Sequence, residues 1–228
     1  MRVLGVLAAS ALVLTACSGT DEAPGGAGGD VAEASAEPVT VEVVDSGFGQ
    51  LGDYVHGVVV VTSGDAGAVG EFVTASMNFH DAAGEIVGTS EQVESFSWPG
   101  QELVLPLMLD LSATPGVEVA EVDVSVSLSE YGLGGETADP LDPVEARELR
   151  PGQFGGTTAV FEIANPTAAD LDGARIGVVC RDAGGTVIGG TSEYPNLIAA
   201  GKTVLVESDV ATSGEPDTSA RRDRKSVV

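Results

Sequence analysis

The chain has 228 residues, with 35 Asp or Glu against 10 Lys or Arg and a formal net charge of −25. Residues 17–146 hold 24 of those acidic side chains and no Lys or Arg, so their surface repels phosphate backbones and excludes nucleic acid as a partner. Hydrophobic residues make up 43% and aromatics only 4%, a composition that folds on aliphatic packing and does not suit a disordered chain.

Met1 and Arg2 supply a positive end, and residues 3–14 form an apolar run broken only by Gly5 and Ser10. That run is shorter than the roughly 20 residues a bilayer span needs, but it has signal-peptide length. Leu14-Thr15-Ala16-Cys17 follows, and its four positions resemble the lipobox of bacterial lipoproteins: an aliphatic residue, two small residues and a cysteine. The resemblance implies that residues 1–16 are a signal peptide cleaved before Cys17. It also implies diacylglycerol on the Cys17 thiol and a position at the outer face of the cell membrane. Two acyl chains, at about 0.8 kcal/mol per buried CH₂, anchor a protein stably where one binds reversibly. Residues 17–38 are rich in Gly, Ala, Ser and acidic side chains, which predicts a flexible acidic tether averaging roughly 25 Å end to end.

From Val39 onward the apolar period is two. Val39, Val41 and Val43 alternate with Thr40 and Glu42, and Val122, Val124, Val126 and Leu128 alternate with polar residues. Both read as half-buried strands. Residues 58–61 are four consecutive valines, which predicts a strand covered on both faces. Turns are expected at residues 65–67, 82–84, 98–100 and 114–116, where Gly supplies positive φ and Pro presets the turn entry. No window carries a capped helical stripe. The fold class predicted is all-β, an antiparallel β-sandwich.

The chain also repeats. Residues 77–88 (MNFHDAAGEIVG) align without gaps to residues 178–189 (VVCRDAGGTVIG), and the same 101-residue offset pairs Gly100 with Gly201 and Leu103 with Val204. Residues 59–61 correspond to residues 161–163 after a one-residue slip. Two tandem modules are therefore predicted, at 39–131 and 144–212, joined by a linker at 132–143 and followed by a disordered tail at 213–228 with a basic end. The pattern resembles the FxLYD domain family, an immunoglobulin-like sandwich of exported bacterial proteins. The motif positions read Met77-x-Phe79-His80-Asp81 and Val178-x-Cys180-Arg181-Asp182; the aspartates hold, and neither copy has the tyrosine. The resemblance implies a fold and an exported setting. No counterpart of the 122–128 strand follows residues 204–209, so the second module either closes with residues 144–149 or leaves an open edge.

Asp81 and Asp182 read as turn residues, their carboxylates accepting backbone N–H groups while Gly84 and Gly185 take positive φ. His56 and His80 lie on different predicted strands, and no nucleophile elbow, zinc-helix motif or phosphate loop accompanies them. Cys180 reads as a small core residue; with Cys17 acylated, it has no disulfide partner within the chain. Residues 170–173 begin like a calcium loop, and the pattern fails at residues 174–176. Trp98, the one tryptophan, is expected to cover an end of the first sandwich or to anchor a partner.

No catalytic site, metal site or cofactor is predicted. The expected function is a lipoprotein that binds or scaffolds an envelope protein. The alternatives are a passive spacer of the envelope and an acidic domain that binds cations weakly. Intact-mass spectrometry of the membrane-extracted protein is expected to find the chain starting at a diacylated Cys17, with Cys17→Ala lacking the lipid and lost from the membrane fraction. An unmodified N-terminus cut elsewhere overturns the anchorage.

Overall fold

The computed structural model describes residues 39–129, 141–152 and 155–213. The Cys17 lipobox, the acidic tether, most of the expected linker and the basic end lie outside the described residues. The described residues belong to one compact unit and are almost entirely antiparallel strand, the all-β class predicted from the period-two pattern. Their one helix is a single 3₁₀ turn, Ala66–Ala68, where the Asp65 carboxylate accepts from Gly67 N.

Six strands build the first half: β1 (Glu42–Leu51), β2 (Tyr54–Thr62), β3 (Phe72–His80), β4 (Ile86–Ser95), β5 (Glu102–Asp110) and β6 (Glu121–Ser129). They form two three-stranded antiparallel sheets, ordered β1-β2-β5 and β4-β3-β6. Strand β3 shows why the sheets pair. Val73, Ala75, Met77 and Phe79 are fully buried, while the alternating Thr74, Ser76, Asn78 and His80 are only partly so. Opposite them Val55, Val59 and Val61 of β2 and Leu103, Leu105 and Leu107 of β5 complete one aliphatic core. In β1 the expected alternation needs a correction. Val39 and Val41, just before the strand, pack on this core, but Val43, paired with Val61 at the start of β1, is exposed, and the register shifts beyond it, between Val43 and Asp45.

The second half holds β7 (Glu148–Pro151), β8 (Thr157–Ala164), β9 (Leu171–Asp172), β10 (Ile176–Arg181), β11 (Val187–Glu193), β12 (Leu197–Ile198) and β13 (Thr203–Val210). Its sheets run β13-β8-β7 and β10-β11, with the short pair β12-β9 beside them. Ala159, Phe161, Ile163, Ile176, Val178, Cys180 and Ile188 form its core. The sequence offsets reappear as strand equivalences: β8 pairs with β13 as β2 pairs with β5, and β10 with β11 as β3 with β4. Strand β6 has no counterpart among the described residues. Of the residues expected to close this half, Glu148 and Leu149 enter β7, which pairs with β8 in the place β1 takes against β2.

The two halves meet through the outer face of the β1-β2-β5 sheet. All four valines at 58–61 are buried: Val59 and Val61 face the first core, while Val58 and Val60, with Val104, meet Val187 and Val179 of the second half. A fully buried valine contributes about 1.5 kcal/mol or more, so this small dry contact rivals a core layer. Glycines permit its closeness. A Cβ on Gly47 would sit 2.6 Å from the Val187 carbonyl oxygen, one on Gly49 would overlap the Ile188 carbonyl oxygen, and one on Gly177 would reach 2.5 Å from Val104 Cβ. Repacking backbone against backbone cannot relieve such overlaps cheaply. Gly49→Ala is therefore expected to destabilise the protein by about 2–3 kcal/mol in urea unfolding. Gly64→Ala, where the added atom meets nothing within 4 Å, should stay within about 0.5 kcal/mol of the parent. Equal stabilities for the two variants refute the close-approach account.

Candidate functional site

The four predicted turn residues form two equivalent hairpins. Asp81 Oδ1 accepts from Ala83 N at 2.8 Å and Glu85 N at 3.0 Å; Asp182 Oδ1 accepts from Gly184 N and Thr186 N, both at 2.9 Å. Gly84 and Gly185 follow with φ of 81° and 87°. These carboxylates are engaged by backbone and close their own turns. The residue before each aspartate differs in use. His80 Nδ1 lies 3.3 Å from the Gly84 carbonyl oxygen and its Nε2 lies 2.9 Å from Asp123, within the first half. Arg181 likewise donates to the Gly185 carbonyl oxygen, but its ion-pair partner is Asp45, on the other half. His56 and His80 sit on β2 and β3 and are not brought together. Cys180 is buried in the second core near the end of β10, and Cys17 lies outside the described residues.

The junction is where charge and burial converge. The described residues of the first half include no Lys or Arg, and two arginines of the second half reach across to it. Arg181 pairs with Asp45, and Arg175 reaches across to donate to the Val104 carbonyl oxygen at 2.7 Å. Arg175 Nε also stands 2.9 Å from Glu94 Oε1, close enough to pair although its N–H is not aligned as a hydrogen bond. Both side chains of that pair are largely buried, at 13% and 19% exposed, so removing either one leaves a charge without its partner. His56, half-buried on β2, lies against β11. Burial pushes its pKa below the ordinary 6.5, and a hydrogen bond to the Gly190 backbone opposes part of that shift.

Beside the Arg175–Glu94 pair the halves together line a half-open cavity of about 530 Å³. Trp98, Gln101 and Leu103 line it from the first half, and Leu171, Ala174 and Arg175 from the second. Trp98 is 9% exposed and Gln101 only 1%. The turn around Pro99 orients the Gln101 amide: its Oε1 accepts from Ser97 N at 2.6 Å and Trp98 N at 3.4 Å, so the Nε2 end is the free one. That Nε2 is buried and has no hydrogen-bond partner. A buried donor left unsatisfied costs about 1–3 kcal/mol, which native structures rarely tolerate without reason.

A second concavity, of about 400 Å³, lies within the second half, lined by Tyr194, Leu197, Leu205 and the flanking Glu193 and Glu207. Tyr194 and Leu205 are each 61% exposed and Leu197 is 49% exposed. Leu205 sits on β13, which ends its sheet. Neither cavity emerges from motif reading, because their residues come from turns and strands far apart in sequence. The trace that was available is the scarcity of cations: Arg175 is one of four arginines between residues 147 and 181, after a stretch at 17–146 that has no Lys or Arg. Among the described residues, no three potential metal ligands of the His, Cys, Asp and Glu types gather at one place. Comparison of the sequence with protein-family models and with curated proteins found no match.

The His56 shift has a definite sign. Unfolding restores its pKa to the ordinary value of 6.5, so the unfolded chain takes up the proton more readily than the folded one. Its contribution to stability is full above pH 6.5 and is lost as pH falls through the lower folded value. Between about pH 7.5 and 5 the parent is expected to lose more melting temperature than His56→Gln does. Parallel pH profiles for the two proteins disprove a role for His56 protonation at the junction.

Proposed function

We propose that this chain is an extracytoplasmic lipoprotein, held to the outer face of the cell membrane by lipid on Cys17, that acts as a non-catalytic protein-binding or scaffolding module. The lipobox residues Leu14-Thr15-Ala16-Cys17 support the anchorage. The FxLYD-like repeat supports immunoglobulin-like sandwich halves, and the paired antiparallel sheets of the structure are compatible with that architecture.

The observation that carries the binding role is the Tyr194, Leu197 and Leu205 cluster. Three large apolar side chains exposed together, in a concavity beside a sheet-terminal strand, form the kind of patch that proteins cover by association. Its rim carries Glu193, while Glu207 is already paired with Arg150, so the patch suits an envelope protein offering an apolar anchor with a basic residue beside it. A passive spacer has no use for such a patch.

Crosslinking in intact envelopes, followed by affinity capture of the full chain, tests this role. One protein captured by the parent is expected to be lost with Leu205→Asp and retained with Val93→Asp, an exposed valine on the first half. Identical capture by all three proteins, or none that rises above a lipid-anchored control, supports the spacer instead.

A further inference from the structure

We infer that the cavity between the two halves is a binding site for a small, neutral, largely apolar molecule that presents a carbonyl oxygen, such as an amide or an ester. This site is separate from the Leu205 patch and does not depend on the protein-binding role.

The chemistry of the occupant follows from the lining. The buried Gln101 Nε2 is a donor in need of an acceptor, because its own Oε1 is held by the Ser97 and Trp98 backbone N–H groups. A carbonyl oxygen supplies that acceptor; a hydrocarbon or a bare ammonium does not. An anion is the wrong partner. Arg175, the cation in the lining, already faces Glu94, and Asp172 adds a further negative charge at the cavity. The Trp98 indole, Leu103, Leu171 and Ala174 give the rest of the lining a mainly apolar surface, interrupted by the hydroxyl residues Ser95, Ser97 and Thr167, around a volume of about 530 Å³, which is within the usual range for small-molecule sites. The site also exists only because the halves are docked, since each contributes a wall.

Trp98 is the only tryptophan, so its fluorescence reports on this cavity alone. Titration of the full mature chain with N-acetyl-leucine methylamide should shift Trp98 emission saturably, and N-acetyl-leucine, which carries a carboxylate at neutral pH, should bind roughly tenfold more weakly or not at all. Gln101→Glu keeps the acceptor for Ser97 and Trp98 while removing the Nε2 donor, and is expected to weaken the amide by roughly tenfold. Ala174→Leu fills the cavity from the opposite wall and should abolish the shift while circular dichroism and the probe-free emission stay as in the parent. It keeps the inference testable should Gln101→Glu fail to fold. The absence of a saturable shift in the parent, equal binding of amide and carboxylate, or undiminished binding in Ala174→Leu overturns it.

Discussion

The structure depends on one contact, the dry meeting of Val58, Val60 and Val104 with Val187 and Val179. A β-sandwich half needs only one buried face per sheet, and its outer face is ordinarily wet. Here the outer face of the β1-β2-β5 sheet is apolar at its centre, and left alone it would expose fully aliphatic strand surface. Docking the second half removes that surface from water. The backbones come together closely enough that Gly47, Gly49, Gly177 and Gly190 stand where any side chain would strike the facing half.

The internal repeat makes the asymmetry of this contact visible. Gly177 and Gly190 occupy the positions that Ser76 and Thr89 hold in the first half, and the buried Val187 stands where the first half exposes Ile86. On the opposing sheet the positions equivalent to Val60 and Val104 are Glu162, paired with Arg147 at the surface, and the exposed Leu205. One face of each half was therefore adapted for contact and its equivalent on the other half was not. The contact is head-to-tail in kind, and the Glu162–Arg147 pair stands where Val60 stands in the first half, so the equivalent face is not built for the same aliphatic contact.

Electrostatics follow the same division. The acidic first half gains its cationic partners from the second, through Arg181 to Asp45 and Arg175 to Glu94. Such pairs add little net stability when built, because desolvation offsets attraction, but they punish wrong orientations of the halves. Valine burial supplies the attraction, glycine the closeness, and the two arginines the register. The cavity beside Trp98 is a by-product of that register, and its unpartnered Gln101 amide gives it chemical direction.

Much of this was legible in the residues. Period-two alternation determined strand positions because a half-buried strand must present one apolar face. The consecutive valines at 58–61 pointed to burial on both faces. Asp81, Gly84, Asp182 and Gly185 carry local turn chemistry, which needs no distant partner to be read. What the linear order does not hold is which face meets which. The register shift after Val43, the docking of β11 on β1, the pairing of Arg175 with Glu94 and the orientation of Gln101 all arise between residues that are distant in sequence or set by loop geometry. Only tertiary packing decides these, because hydrophobic pattern is a property of one element, whereas complementarity is a property of two.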